Sequence, residues 1–136
     1  MIRFRISWRF ISLLILPCLL FHQLSAQSIK RVLFLGNSYT AVNNLPQLIA
    51  DVAASNGDSL IFDKNTPGGY TLEEHSSNAV SIDKIAQGNW DFVVLQGQSQ
   101  RPSWPDEVVE EDVYPYAQIL DSIINTHNSC AETMFY

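Results

Sequence analysis

The chain has 136 residues, of which 46% are hydrophobic and 11% aromatic, with 8 Lys plus Arg against 14 Asp plus Glu. That is the composition of one ordinary globular domain and excludes disorder, collagen and coiled coil. Three of the basic residues (Arg3, Arg5, Arg9) precede an apolar run from Phe10 to Phe21 that leads to small residues at Ser25 and Ala26. This is the layout of a secretory signal peptide over 1–26, cut before Gln27, and it predicts a secreted or periplasmic protein. The run falls short of the ~20 residues a span requires, and Pro17 interrupts it, so no membrane partner is expected after cleavage. Taking those three cations from the eight leaves 5 basic against 14 acidic side chains on residues 27–136, a formal charge of −9. Such a field repels phosphate backbones and anionic lipid, which argues against nucleic acid and leaves neutral small-molecule or glycan esters as substrates. Cys130 is the one thiol in 27–136, so no internal disulfide is possible there, and it is expected as a small core residue beside a strand.

Arg31 to Leu35 is a short apolar run stopped by Gly36, as in a strand buried on both faces of a parallel sheet. Leu45, Leu48, Ile49, Val52 and Ala53 recur at helical spacing, with Pro46 suited to the first turn, Asn43 and Asn44 offering caps, and Gly57 a stop. Ser59 to Asp63 reads as a second strand and 65–69 as a turn. Thr71 and Glu74 form a Thr-x-x-Glu capping box that opens a helix at Leu72, and Ile82, Ile85 and Ala86 continue a helical face to Gly88. Trp90 to Gln96 is the clearest strand, and it runs into a polar, proline-broken loop from Gly97 to Pro105. A helix bearing Ile119, Leu120, Ile123 and Ile124 follows, then a strand from Glu132. Strands and helices alternating at these lengths predict a doubly wound parallel α/β sheet of three layers, with ligands beyond the carboxyl ends of the strands.

Three loops leave those ends: 36–40 (Gly-Asn-Ser-Tyr-Thr), 67–70 (Pro-Gly-Gly-Tyr) and 96–100 (Gln-Gly-Gln-Ser-Gln). They supply a hydroxyl nucleophile and uncharged hydrogen-bond donors, which acyl transfer needs, but no phosphate-binding cation and no metal-ligand cluster. No Lys follows the glycines as in a Walker loop, a dinucleotide fingerprint is missing, and Thr40 stands where a Gly-x-Ser-x-Gly elbow has its second Gly. No cofactor or metal is therefore expected. The acidic run Glu107, Glu110, Glu111, Asp112 reads as a solvated helix start. Trp104, Tyr39 and Tyr70 are candidates for an aromatic rim that stacks on sugar rings, or for ordinary loop packing.

The stretch 32–40, Val-Leu-Phe-Leu-Gly-Asn-Ser-Tyr-Thr, resembles the first block of the SGNH, or GDSL-type, hydrolases. With the later Gly-Gly-Tyr-Thr-Leu (68–72) and Trp-Asp-Phe-Val-Val-Leu-Gln (90–96), it is similar to a group of secreted, uncharacterised bacterial members of that superfamily over 30–136. The resemblance implies a flavodoxin-like three-layer α/β/α fold and a serine esterase, with Ser38 as nucleophile. It places the Ser38 and Gly69 (or Gly68) backbone N–H groups in the oxyanion hole, and Asn37, Tyr39 and Tyr70 against the substrate. The superfamily has an Asn where this chain has its Gln cluster, so Gln96 or Gln98 takes that oxyanion place. Its closing Asp-x-x-His block does not occur in the 136 residues, so 27–136 is expected to be the N-terminal part of the domain, truncated at its C-terminal side; a reading frame that continues past Tyr136 into such a block favours the enzyme, and one that ends there favours the alternative below. His22 falls in the signal peptide, His75 is expected on a helix face or at the surface, and His127 as a helix C-terminal residue; none stands at the family's base position. The expected activity is removal of acyl groups, acetyl among them, from a carbohydrate or similar neutral ester. A non-catalytic secreted glycan-binding module, or an inactive fragment of the same fold, is the alternative.

Overall fold

In a computed structural model, residues 28–136 are described; the expected signal peptide, with His22, lies outside them. Four strands among the described residues form one all-parallel sheet of order β2-β1-β3-β4. They are β1 (Ile29–Leu35), β2 (Ser59–Asn65), β3 (Phe92–Leu95) and β4 (Glu132–Phe135). The helices are α1 (Ser38–Ala41), α2 (Leu45–Ser55), α3 (Leu72–Ser77), α4 (Ala79–Ile85), α5 (Asp106–Asp112) and α6 (Tyr114–His127). The chain steps from β1 to β2 through α2, reverses, crosses β1 through α3 and α4 to reach β3, and continues outward in that direction through α5 and α6 to β4. Because such crossovers are right-handed, the reversal puts α2 on one face and α3 to α6 on the opposite one. This is the doubly wound α/β arrangement expected from the alternation, with the strand order that opens a flavodoxin-like sheet.

Alternation along β1 divides the core. Leu33 and Leu35 point with Val93 and Leu95 into the main cluster, against Leu72, Ile85, Leu120 and Ile124. Val32 and Phe34, also buried, face the α2 side, where Phe34 meets Phe62 edge to face at 6.2 Å. A strand buried on both faces has no polar position to spare, which is why 32–35 is apolar without a break. On the α2 side, Phe92, Val94 and Met134 border an apolar hollow of about 550 Å³.

Local departures from the sequence reading have identifiable causes. The helical face expected from Leu72 to Gly88 is two helices, because Asn78 ends α3 with its backbone extended and caps α4, its side chain accepting from Ser81 N–H. The Thr71–Glu74 capping box forms with both of its reciprocal bonds. Asn43 and Asn44 do not cap α2 through their side chains; both are left-handed, at φ 55° and 51°, and turn the chain from α1 into α2. The acidic run is a helix of its own, α5, ahead of α6. Cys130 is exposed, not in the core: its N–H is held by Asn128 Oδ1, and it is Ala131 that turns inward. No helix among the described residues is long and apolar enough to cross a membrane.

Candidate functional site

In an open α/β sheet the cleft lies where neighbouring crossovers leave in opposite directions. Here that point falls between β1 and β3, and the loops following them are those carrying Ser38 and the Gln cluster. Asn37 joins all three strand-end loops. It is 1% exposed, its Nδ2 donates to Tyr70 O (2.9 Å) and Gly97 O (3.3 Å), and its Oδ1 caps α1 by accepting from Tyr39 N–H (3.1 Å). The next residue, Ser38, is exposed, and its hydroxyl makes no hydrogen bond among the described residues. The site thus presents a free hydroxyl on a loop whose preceding residue is fixed by buried bonds.

The two glutamines differ in what their amides do. Gln96 is 4% exposed, and its Oε1 accepts from Asn37 N–H (2.9 Å) and from the Thr40 hydroxyl (3.0 Å), while its Nε2 donates to Gly97 O. Its carboxamide is spent on holding the Ser38 loop. Gln98 Oε1 accepts from Gln100 and Arg101 N–H, nucleating the turn at Arg101–Ser103, and its Nε2 has no partner among the described residues. Of the two, Gln98 therefore retains a free donor. It lines a cleft of about 250 Å³ with Tyr39, Gln96, Gly97, Ser99 and Tyr136.

The Pro67–Tyr70 turn closes through Tyr70 N–H to Pro67 O (3.4 Å), with Gly69 at φ 78° in its third position, where a type II turn demands glycine. Gly68 and Gly69 are exposed, and the N–H of Gly69, like that of Ser38, makes no hydrogen bond among the described residues. Tyr70 contributes its carbonyl to Asn37, while its ring packs edge-on against His75 at 5.2 Å and its hydroxyl accepts from Asn78. Tyr39 is 65% exposed over the cleft. Trp104 stacks under Arg101, whose guanidinium lies 5.7 Å from its ring.

His75 is fully buried, neither on the surface nor on an open helix face. Its Nε2 lies 2.9 Å from Gly36 O, which only accepts, so Nε2 carries the hydrogen and Nδ1 accepts from Ser81 Oγ at 2.8 Å. Asn65 Nδ2 in turn donates to Ser81 Oγ and to Asn78 Oδ1. This network ties the ends of β1 and β2 together beneath the Ser38 loop. Burial holds the His75 pKa below 6.5, outweighing its bond to Gly36 and the charge of Glu74, so the ring is neutral at pH 7. Both its nitrogens are occupied, and neither serves Ser38. His127 ends α6, at the opposite end of the sheet from Ser38. Among the described residues no imidazole stands beside the Ser38 hydroxyl, and no group of His, Cys, Asp or Glu is placed to hold a metal.

Thr40, Tyr136 and Gly36 complete the junction. Thr40 is 1% exposed, and its Oγ1 bonds both Gln96 and, at 2.7 Å, the Tyr136 hydroxyl. Gly36 leaves the room for it, since a Cβ there would sit 2.3 Å from Thr40 Oγ1 and 2.8 Å from Gln96 Oε1. The departure from an elbow's second Gly at position 40 was the visible signal; the partners, 56 and 96 residues away, gave none. Compared with protein-family models and with curated proteins, the chain matches none.

Proposed function

We propose that the protein is an exported SGNH-type serine esterase that removes an acyl group from a carbohydrate or similar neutral ester. What supports this most is the pairing of an exposed, unbonded Ser38 hydroxyl with free N–H groups at Ser38 and Gly69, on loops that Asn37 binds together at the switch point of the sheet. In this reading Ser38 Oγ attacks the ester carbonyl and gives its proton to a base. Ser38 N–H, Gly69 N–H and Gln98 Nε2 hold the developing oxyanion. The alcohol then leaves with the proton, and water releases the acyl group from Ser38. Gln96 and Asn37 act as positioning residues. The base comes from outside the described residues, as the resemblance to SGNH enzymes implies. A preorganised donor is worth roughly 3 kcal/mol to such a transition state, so three of them make an unprotected serine loop chemically purposeful.

The exposed Tyr39 at the cleft, with no imidazole beside Ser38 among the described residues, favours a second reading, a glycan-binding module on the same fold. Hydrolysis of 4-nitrophenyl acetate by the protein as its host exports it separates the two. The esterase reading expects turnover that Ser38→Ala lowers by several orders of magnitude in kcat. Turnover unaffected by Ser38→Ala, or none in the exported form, decides for the binding module.

A further inference from the structure

Two consecutive peptide groups lead from the end of β1 to Ser38. The first, Gly36–Asn37, is gripped at both its polar atoms: His75 Nε2–H donates to Gly36 O (2.9 Å), and Asn37 N–H donates to Gln96 Oε1 (2.9 Å). The second, Asn37–Ser38, has its carbonyl taken by Thr40 and Ala41 N–H (3.1 and 3.0 Å). In a trans peptide the N–H points opposite to the carbonyl, so the Ser38 N–H is turned away from α1. The directions of that N–H and of the Ser38 side chain therefore follow from how the Gly36–Asn37 peptide is held. Gly36 makes holding necessary. It has no Cβ, nor room for one, with Thr40 Oγ1 and Gln96 Oε1 at 2.3 and 2.8 Å from where it would stand, and a glycine backbone is the freest of all to turn.

His75 reaches this peptide from α3, and it is itself fixed. Its Nδ1 accepts from Ser81 Oγ (2.8 Å) on α4, its ring meets Tyr70 edge-on at 5.2 Å, and no part of it is exposed. Tyr70 O is in turn an acceptor of Asn37 Nδ2, so His75 supports Asn37 both through Gly36 and through Tyr70. A neutral imidazole suits the place because it offers a donor to the carbonyl on one side and an acceptor to the hydroxyl on the other. We infer that His75 is a positioning residue for acyl transfer, which by holding Gly36 O fixes the peptide that aims the Ser38 hydroxyl and N–H. The inference rests on the proposed reaction for its effect on rate, and it assigns no proton transfer to His75. A histidine that only filled the space between α3 and α4 would be indifferent to which of its nitrogens is kept.

Two amide substitutions separate those nitrogens. His75→Gln can place an N–H near Nε2 and keep the bond to Gly36, whereas His75→Asn, one methylene shorter, reaches only as far as Nδ1 and keeps the Ser81 partner alone. Amide hydrogen exchange and hydrolysis of 4-nitrophenyl acetate are followed on the protein as its host exports it. Asn37 N–H should exchange about five- to tenfold faster in His75→Asn, the worth of one ordinary hydrogen bond, and near the unaltered rate in His75→Gln. In His75→Asn kcat should fall about ten- to hundredfold with KM nearly unchanged, because His75 touches no substrate, and His75→Gln should restore it. Equal behaviour of the two variants overturns the inference, and so does a loss carried by KM. If His75→Asn does not fold by circular dichroism, the imidazole nitrogen shifts of the unaltered protein decide: a hydrogen on Nε2 supports the clamp, and one on Nδ1 overturns it. Because exchange is read without catalysis, the two readings fail separately. Asn37 exchange that depends on His75 as expected, in a protein whose turnover ignores Ser38→Ala, supports the clamp and overturns the reaction.

Discussion

Replacing Asn37 by alanine removes three hydrogen bonds at the point where the strand-end loops meet. The two Nδ2 donations hold Tyr70 O and Gly97 O, and the Oδ1 cap holds Tyr39 N–H. At about 1 kcal/mol net each, with the Gly97 carbonyl keeping the Gln96 amide, the loss comes to about 3 kcal/mol. For a domain of this size that lowers Tm by about 10 °C or more. Asn37→Asp divides the effect further. It keeps the cap acceptor but turns a carboxylate toward two carbonyl oxygens in a buried site, which raises its folded-state pKa above the unfolded value. A group raised in this way contributes stability below its unfolded pKa and loses it as pH rises through the folded one. Thermal melts of both variants from pH 4 to 8 should show the alanine variant uniformly weakened relative to the unaltered protein and the aspartate variant falling further behind as pH rises. A drop of less than about 3 °C for Asn37→Ala, beneath the worth of one such bond, would refute the role of Asn37 as the junction.

His75, held neutral by burial, makes stability fall as pH drops from 6.5 toward its lower folded-state pKa; urea midpoints should follow that limb, and His75→Gln should flatten it. Gly36→Ala should cost at least 2 kcal/mol by the Thr40 clash (about 1–3 kcal/mol is usual for overpacking), and adding Thr40→Ala should recover part of it, as a double-mutant cycle measures. Gln98→Ala should lower kcat on an acetyl ester about a hundredfold while leaving Tm nearly unchanged, whereas Gln96→Leu should lower both, since Gln96 holds two donors of the Ser38 loop. Mass spectrometry of the exported chain should place its first residue at Gln27, and retention of 3–21 would overturn the leader reading.

The elements that were legible in the sequence are those with local causes. Residues 32–35 are apolar because both sheet faces are covered there, 92–95 because one face enters the core and the other borders the apolar hollow, and Thr71 with Glu74 announces a helix start three residues apart. Asn78 was harder to place, since its two roles, ending α3 and capping α4, look like one uninterrupted helical face in hydrophobic spacing. Cys130 and Ala131 are both small, and periodicity at a strand start does not say which turns inward. The division of labour between Gln96 and Gln98 was hidden for a different reason. Gln96 reaches Asn37 across 59 residues, and its burial is decided by the parallel pairing of β1 and β3, which no local pattern encodes. His75 likewise looks like any polar residue on a short amphipathic helix until Gly36 O and Ser81 Oγ close around it.

Fluorophosphonate labelling of the protein as its host exports it probes whether Ser38 is the activated acyl-transfer nucleophile proposed for it. The reagent bonds only to a serine whose hydroxyl is deprotonated on demand beside an oxyanion site. One adduct per chain is expected, mapped by tandem mass spectrometry to Ser38 and absent from Ser38→Ala. An unlabelled Ser38 under conditions that modify a control serine esterase, or an adduct at another serine, would contradict it.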